Sequence, residues 1–192
     1  MPAPAFTALT VDELRARREQ LTLVDVRSPG EFASGHVPGA HNIPLDQLDR
    51  ALPALRDASD HGELALICAS GSRSQNACQR AAGAGVRAFT VTGGTDAWAR
   101  AGNPVDRVED VRPVWPMDRQ VRLVAGSLVL AGLAADLVVP GFRLLSAAIG
   151  AGLVFSAVTN TCAMASMLGK LPYNRRAAAG YDLDAAVAGL RN

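Results

Sequence analysis

Residues 144–168 carry no charged side chain, and this stretch restricts the fold more than any other feature of the sequence. A helix needs ~20 apolar residues to cross the hydrocarbon core of a bilayer, with a range of about 17–25. A second apolar segment, 123–139, precedes it with a single charge at Asp136, and a Pro-Gly pair provides a turn between the two. The pattern predicts a two-helix transmembrane hairpin over 123–168.

The charges next to this hairpin predict its orientation. Basic side chains lie just outside both segments: Arg119, Arg122, Lys170, Arg175 and Arg176. Cytoplasmic flanks of membrane helices are enriched in Lys and Arg, so we expect both termini on the cytoplasmic side of a multi-pass protein. The alternative, a soluble helical hairpin hidden in a core, is disfavoured by the length of the charge-free stretch.

The first part of the chain alternates short apolar runs with helical patterns. Apolar runs bounded by Gly, Pro or Ser predict buried strands over 21–26, 63–68 and 88–92. Helical patterns lie at 11–20, 45–55 and 74–84, and one more helix follows Gly93. Strands that alternate with helices at this spacing predict an α/β fold, with a parallel sheet flanked by helices on both faces.

Composition divides the chain into four parts. They are a first domain at 1–107, a proline- and charge-rich linker at 108–122, the hairpin at 123–168 and a cytoplasmic C-terminal tail at 169–192. The tail has apolar residues at helical spacing, and we expect it to lie on the membrane, to pack on a partner or to fray.

Several classes of function are excluded. No basic cluster is interleaved with aromatic residues, so no nucleic-acid partner is expected; the hairpin should instead contact membrane lipid. Cys68, Cys78 and Cys162 form no Cys-x-x-Cys or Cys/His pair at zinc spacing, so we expect no metal, and nothing indicates a cofactor. An odd number of cysteines without a recognisable secretory signal favours a reducing cytoplasm around the first domain.

The loop CASGSRS, from Cys68 to Ser74, contains the candidate reactive residue, Cys68. It lies between a strand and a helix, at the carboxyl edge of the predicted sheet, where ligands bind in open α/β folds. Its small residues let successive backbone N–H groups point inward and form an anion-binding nest. The nest and Arg73 favour an anionic Cys68 sulfur and hence a nucleophile, whereas a buried structural thiol is the alternative.

Three segments together resemble the sequence signatures of the rhodanese family: LVDVRSPGEFASGHVPGAHNIPL at 23–45, the loop at Cys68, and GGTDAW at 93–98. The resemblance covers residues 7–107 and implies a rhodanese-like sheet. It also implies that Cys68 takes a sulfane sulfur from thiosulfate or a persulfide and passes it to cyanide, a small thiol or a protein cysteine. The pocket residues implied are Ala69, Ser70, Gly71, Ser72, Arg73 and Ser74.

The length of the loop favours sulfur over phosphate. Six residues run from Cys68 through Arg73, a Cys-x4-Arg spacing. In the family that the sequence resembles, sulfurtransferases have a six-residue active loop and the phosphatase relatives have one residue more. A loop one residue short closes too tightly around a phosphoryl group.

The hairpin is similar to the two-helix domain of bacterial inner-membrane rhodaneses. The similar segments are WPMDRQVRLVAGSLVLAG at 115–132 and FSAVTNTCAMASMLGKLPYN at 155–174. This resemblance implies a location in the bacterial inner membrane, with the rhodanese domain in the cytoplasm.

Small residues at four-residue spacing in the hairpin indicate close helix packing, either within it or in a homodimer: Ser127, Ala131, Ala135, Ala148, Gly152 and Ser156. Polar residues at 159–162 motivate an alternative function, a membrane module that binds and transports or senses a sulfur species.

Three further residues have two interpretations each. Asp25 and Arg27 follow a strand and either orient the active loop or form a structural ion pair, and we favour the ion pair. Cys78, on the helix after the loop, either resolves an oxidised Cys68 or fills the core, and we favour the core.

Overall fold

The computed structural model describes residues 6–109, 114–159, 162–175 and 181–191. They divide into two compact units, one made of Met1–Val114 with Pro172–Asn192 and the other of Trp115–Leu171. The chain therefore leaves the first unit once and returns to it. The segment expected to be a separate tail at 169–192 belongs, from Pro172 onward, to the first unit.

A parallel sheet forms the centre of the first unit. Its strands are β1 (Thr7–Leu9), β2 (Leu21–Asp25), β3 (His41–Asn42), β4 (Glu63–Ile67) and β5 (Phe89–Val91). Their order is β1-β5-β4-β2-β3, and every neighbouring pair is parallel. The predicted α/β fold is confirmed, but the sequence patterns do not predict the two edge strands, β1 and β3.

The helices of the first unit connect these strands. They are α1 (Val11–Ala16), α2 (Pro29–Ser34), α3 (Leu48–His61), α4 (Ser72–Gly83) and α5 (Gly94–Arg100), and after the second unit α9 (Pro172–Arg175) and α10 (Leu183–Ala188). Two expected helices are shorter at one end, because 3-10 turns occupy Arg18–Gln20 and Leu45–Gln47.

Helix α2 follows directly after the strand that Ser28-Pro29-Gly30 bounds, where the sequence patterns predict no helix. The Ser28 side chain accepts a hydrogen bond from the Glu31 backbone N–H, the Glu31 carboxylate accepts one from the Ser28 backbone N–H, and a proline occupies the first turn. This capping box and the proline at the first helical position explain why a helix begins here.

Two apolar clusters pack on the sheet, and β4 contributes to both. Leu64 and Leu66 belong to one cluster, and Ala65 and Ile67 belong to the other. Since successive side chains of a strand point to opposite faces, β4 is buried on both faces. This is why its sequence is a continuous apolar run rather than an alternating one.

The last helix of the chain completes the first of these clusters. Leu183 and Leu190 are each 7% exposed and pack with the side chains around β4 and α3. The Tyr181 hydroxyl donates a hydrogen bond to the Asn42 carbonyl oxygen at 3.1 Å. The described end of the chain is therefore part of the α/β core rather than a frayed tail.

Helix α2 contacts both places where the chain crosses between the units. The Val114 backbone N–H donates to the Ser34 hydroxyl at 2.7 Å. A Cβ added to Gly30 would lie 3.0 Å from Val114 Cγ2 and 2.9 Å from the Asn174 carbonyl oxygen. The departing and returning segments thus lie side by side on one helix, with room only for glycine at position 30.

The second unit contains three helices: α6 (Met117–Asp136), α7 (Arg143–Thr159) and α8 (Ala163–Gly169). Because α6 begins at Met117, it includes residues 117–122, so the expected linker ends earlier than its composition suggests. The segment 144–168, which was expected to be one helix, is two, and α7 and α8 make an angle of 98°. No described helix is by itself long and apolar enough to span a membrane, whereas α7 and α8 together have the required length and composition.

Helices α6 and α7 approach each other at small residues. A Cβ at Gly132 would collide with the Ser146 hydroxyl oxygen, which donates to the Val129 carbonyl at 2.9 Å. Within this unit, Ser127 and Ala131 of the predicted small-residue stripe remain exposed. The contact between α6 and α7 therefore lies at Gly132 rather than at Ser127 and Ala131, and the other predicted contact of this stripe, in a homodimer, stays a prediction.

Candidate active site

Cys68 lies directly after β4, at the carboxyl end of the central strand, and its side chain is 1% exposed. Its Sγ accepts hydrogen bonds from the backbone N–H groups of Gly71 at 3.2 Å and Ser74 at 3.4 Å. The sulfur therefore lies inside the turn of the loop, where these N–H dipoles stabilise negative charge.

Gly71 makes this turn possible. Its φ of +103° lies in the left-handed region that disfavours residues with a Cβ, and a Cβ there would lie 3.2 Å from the Val91 carbonyl oxygen. The Ser74 side chain then fixes the loop from inside. Its hydroxyl donates to the Gly71 carbonyl at 2.9 Å and bonds the Thr90 hydroxyl at 2.8 Å. Ser70 and Ser72, by contrast, are exposed at the mouth of the loop.

The start of α5 holds the loop from the opposite side. The Thr95 backbone N–H donates to the Cys68 carbonyl at 2.8 Å, and the Asp96 N–H donates to the Ala69 carbonyl at 3.0 Å. A Cβ on Gly94, whose φ is +56°, would collide with the Cys68 carbonyl oxygen. The segment GGTDAW therefore acts on the site by holding the loop backbone, a role that sequence reasoning missed.

Arg73 is held by Glu31, a partner that sequence reasoning also missed. Both guanidinium NH₂ groups of Arg73 donate to the Glu31 carboxylate at 2.8 Å, and Glu31 is only 2% exposed. Burial alone lowers the pKa of Arg73, but the hydrogen bonds and negative charge of Glu31 outweigh it and raise the pKa. Arg73, which we expect to stabilise the Cys68 sulfur, is thus also bound to a carboxylate that neutralises its charge.

Comparison with known proteins identifies this architecture. Residues 10–101 match the rhodanese-like domain, and residues 114–177 match the transmembrane domain of YgaP-like inner membrane proteins. A sulfurtransferase of Allochromatium vinosum is 34% identical over 47% of this chain and 82% of its own length. The chain belongs to the rhodanese family. An uncharacterized Synechocystis protein is similar over more of the chain, at 42% identity across 86% of it and 90% of its own length.

A solved structure is similar to the rhodanese domain. The rhodanese-related protein from Thermoplasma volcanium aligns with 54% of this chain and 100% of its own, at 30% identity and a TM-score of 0.49. The family and its sulfurtransferase member support a function of the sulfurtransferase type for this rhodanese.

Asp25 and Arg27 form an ion pair beside the active loop of the rhodanese domain. The Arg27 guanidinium donates to the Asp25 carboxylate at 2.6–3.0 Å and to the Gly35 carbonyl at 2.7 Å. The Asn42 amide donates to the backbone carbonyls of both residues. Burial lowers the pKa of Arg27, but the charge and hydrogen bonds of Asp25, together with the charge of Glu31, outweigh it and raise the pKa. The pair joins β2 to β3 and α2, as a structural ion pair does.

Cys78 is a buried thiol on α4, 2% exposed. Its S–H donates to the Phe89 carbonyl oxygen at 3.4 Å. Burial and the nearby charge of Cys68 raise its pKa to about 12, so it stays protonated at neutral pH. This supports the core interpretation of Cys78 over the resolving one. Among the described residues, no group of three His, Cys, Asp or Glu side chains converges as a metal site would require.

Proposed function

We propose that this rhodanese is a membrane-anchored sulfurtransferase that moves a sulfane sulfur through a Cys68 persulfide. The Cys68 thiolate attacks the outer sulfur of a donor such as thiosulfate or a persulfide, and the donor releases sulfite or a thiolate. The persulfide then passes its sulfur to cyanide, a small thiol or a protein cysteine. The observation that carries the proposal is the Cys68 Sγ inside the loop, accepting hydrogen bonds from the Gly71 and Ser74 N–H groups.

Residues 69–74 are the proposed substrate pocket, with different tasks. The backbone N–H groups of Gly71 and Ser74 stabilise the Cys68 thiolate, because they point at its Sγ. The exposed Ser70 and Ser72 meet the incoming donor. Asp25 and Arg27 support the pocket from behind by fixing the end of β2.

Mass measurement of the full-length protein tests the nucleophile. After incubation with thiosulfate or glutathione persulfide, the wild type should gain one sulfur atom, and cyanide should then release it as thiocyanate. Cys68→Ser should gain none, whereas the matched variant Cys78→Ser should still be loaded. Loading that persists in Cys68→Ser would refute the assignment of the nucleophile.

We propose a location in the bacterial inner membrane, with the rhodanese domain and both termini in the cytoplasm. The YgaP-like match of residues 114–177 supports the membrane. The side-by-side contacts of Val114 and Asn174 with α2 support the topology, because a segment whose two ends bind one domain crosses a bilayer an even number of times. Thiol labelling of sealed cells tests this: a cysteine at Phe142, in the turn, should react without lysis, and one at Ala188 should not.

A homodimer through the second unit is proposed as well, with the exposed Ser127 and Ala131 as its contact. The transport alternative has less support. Asn160 and Thr161, two of the polar residues that motivate it, lie outside the described residues, and the Thr159 hydroxyl donates to the Phe155 carbonyl of its own helix at 2.8 Å. Flux of thiosulfate or thiocyanate into liposomes that contain the protein would favour transport.

A further inference from the structure

Two buried hydroxyl groups join the active loop to the central sheet. They belong to Ser74, in the first turn of α4, and to Thr90, on β5, and these residues are 0% and 1% exposed. Their oxygen atoms lie 2.8 Å apart, and the Ser74 hydroxyl oxygen lies 2.9 Å from the Gly71 carbonyl oxygen. Because Ser74 and Thr90 are 16 positions apart in sequence, the contact connects the loop to a separate element.

The donor of each bond can be assigned, because a hydroxyl group has a single proton to donate. The Gly71 carbonyl oxygen only accepts, so the Ser74 hydroxyl donates its proton to it. In the bond between the two hydroxyls, Thr90 is then the donor and the Ser74 oxygen is the acceptor. These groups form a hydroxyl relay that runs in one direction, from Thr90 through Ser74 to the Gly71 carbonyl.

The relay ends on a residue whose backbone needs to be held in place. Glycine has the widest range of backbone conformations, and Gly71 has a φ of +103°. Its N–H donates to Cys68 Sγ at 3.2 Å, and its carbonyl accepts from the Ser74 hydroxyl and from the Gln75 backbone N–H at 3.0 Å. The φ and ψ angles of Gly71 relate these two groups, so fixing the carbonyl limits the directions in which the N–H can point.

Thr90 is a rigid starting point for the relay. Its strand pairs on both sides, with Ala8 of β1 and Leu66 of β4 as the neighbours of Thr90 in register. A side chain on such a strand is held more precisely than one on a loop. Ser74, which accepts the Thr90 proton, is also the residue whose backbone N–H donates to Cys68 Sγ at 3.4 Å. Thr90 therefore acts on both N–H donors through one side chain.

We propose that Thr90 is a positioning residue for sulfur transfer, whose hydroxyl acts through Ser74 to hold the Gly71 and Ser74 N–H groups on the Cys68 sulfur. Its part in transfer rests on the proposed sulfurtransferase function, whereas its effect on the thiolate does not. Donors that are fixed before a charge forms stabilise that charge more than donors that must reorient. Loss of the Thr90 hydroxyl therefore makes the Cys68 thiolate harder to form.

Thr90→Val tests the hydroxyl, because it keeps the branched shape of the side chain and removes the donor. Alkylation of the Cys68 peptide by iodoacetamide across a pH series gives the pH at which half of the thiol is ionised. Intact mass spectrometry of the full-length protein gives the rate of sulfur gain from glutathione persulfide. We expect this midpoint to rise by about half a pH unit or more, and loading at neutral pH to fall about threefold or more, since one pH unit corresponds to about tenfold.

Two further variants separate the hydroxyl from stability and packing. Thr90→Ser retains a donor, so it should restore the midpoint and the loading rate to nearly the wild-type values. Ser59→Ala is the control for the loss of a buried hydroxyl, because the Ser59 hydroxyl donates to the Arg56 carbonyl at 2.9 Å on α3, which precedes β4 at the end opposite the loop. We expect this control to leave the midpoint and the rate unchanged.

Ser74→Ala breaks the same relay at its middle. It should raise the midpoint as Thr90→Val does, and the double variant should be no worse than the more affected single variant, because the two hydroxyls act as one unit. Effects that simply add would show that the hydroxyls act independently and that the relay does not exist. Thr90→Ala, which removes the hydroxyl without adding a methyl group in its place, provides the same test if Thr90→Val does not fold.

An unchanged midpoint in Thr90→Val would overturn the inference even if loading were slower, because lower stability slows loading without changing where the thiol ionises. Failure of Thr90→Ser to restore the midpoint would also overturn it, because the effect would then come from the methyl group. If wild-type Cys68 gained no sulfur while Thr90→Val shifted the midpoint as expected, the proposed function would fail and the positioning of the thiolate by Thr90 would stand.

Discussion

The two units of this rhodanese place their apolar side chains in opposite ways. In the first unit the large side chains, such as Leu55 and Leu66, are completely buried. In the second unit Leu137, Val138 and Val158 are 89%, 83% and 81% exposed. Apart from Met117, the described residues that are buried there are small or polar: Gln120, Ala125, Gly132 and Ser146. A water-soluble unit hides its apolar surface, whereas helices packed in lipid use small residues for contact and leave large ones outside.

This difference indicates what each unit needs from its surroundings. The first unit has its own hydrophobic core and therefore folds by burying surface from water. The second unit leaves many large apolar side chains exposed, and a monomeric soluble unit rarely leaves a large apolar patch uncovered. We therefore expect a partner or a lipid phase to cover these helices. The match to an inner-membrane transmembrane domain supports lipid.

The strongest test of this difference between the units is a pair of leucine-to-alanine substitutions, one in each unit. Leu55→Ala, in the core of the first unit, should lower the free energy of unfolding by about 2–5 kcal/mol, because it removes buried surface and leaves a cavity. Leu130→Ala, on α6, should change it by less than about 0.5 kcal/mol in detergent, because Leu130 is 69% exposed. Urea titration of the full-length protein, followed by hydrogen exchange in β4 and α6, measures both.

Equal losses in the two variants would contradict the comparison. They would mean that the apolar face of α6 is covered by protein rather than by detergent or lipid. A larger loss of unfolding free energy in Leu130→Ala than in Leu55→Ala would mean that Leu130 is the more deeply buried of the two side chains.

The tail offers a sharper test, because it follows the membrane unit in sequence but packs with the first unit. Leu190→Ala should cost the α/β unit about 2 kcal/mol, near the lower limit for a buried leucine because a chain end relaxes around the cavity. Ala185→Ser, on the exposed face of α10, is the control and should be nearly neutral. Hydrogen exchange in α3 should accelerate in the first variant only; unchanged exchange would show that the tail is not part of the core.

The strands that are buried on both faces were predictable from the sequence, because a short continuous apolar run such as β4 is typical of a strand inside a parallel sheet. Strands β1 and β3 were not, since they are three and two residues long and depend on their neighbours for pairing. The tail was ambiguous for a similar reason. Its leucines indicate an apolar face, but the surface that this face covers is more than a hundred residues away in sequence.

The centre of the active site was predictable from the sequence, but the side-chain contacts that hold it in place were not. Cys68 and the turn at Gly71 follow from local sequence, because a short loop between a strand and a helix has few conformations. The pairing of Arg73 with Glu31 joins residues 42 positions apart, and no local pattern encodes it. A capping-box pattern, Ser28-x-x-Glu31, was present and would have predicted α2, although not the second partner of its glutamate.

The smallest predicted effect concerns the contact inside the second unit. Gly132→Ala adds a methyl group where the Ser146 hydroxyl lies, and we expect a loss of about 1 kcal/mol, the lower end for overpacking, because the helices can separate slightly. Gly150→Ala is the matched control, since a Cβ there meets nothing within 4 Å. Unfolding in mixed micelles with increasing SDS, followed by circular dichroism, measures both variants. Equal losses in the two variants would mean that close contact at Gly132 does not hold α6 and α7 together. The claim that the second unit is packed by small side chains, unlike the first, would then be wrong.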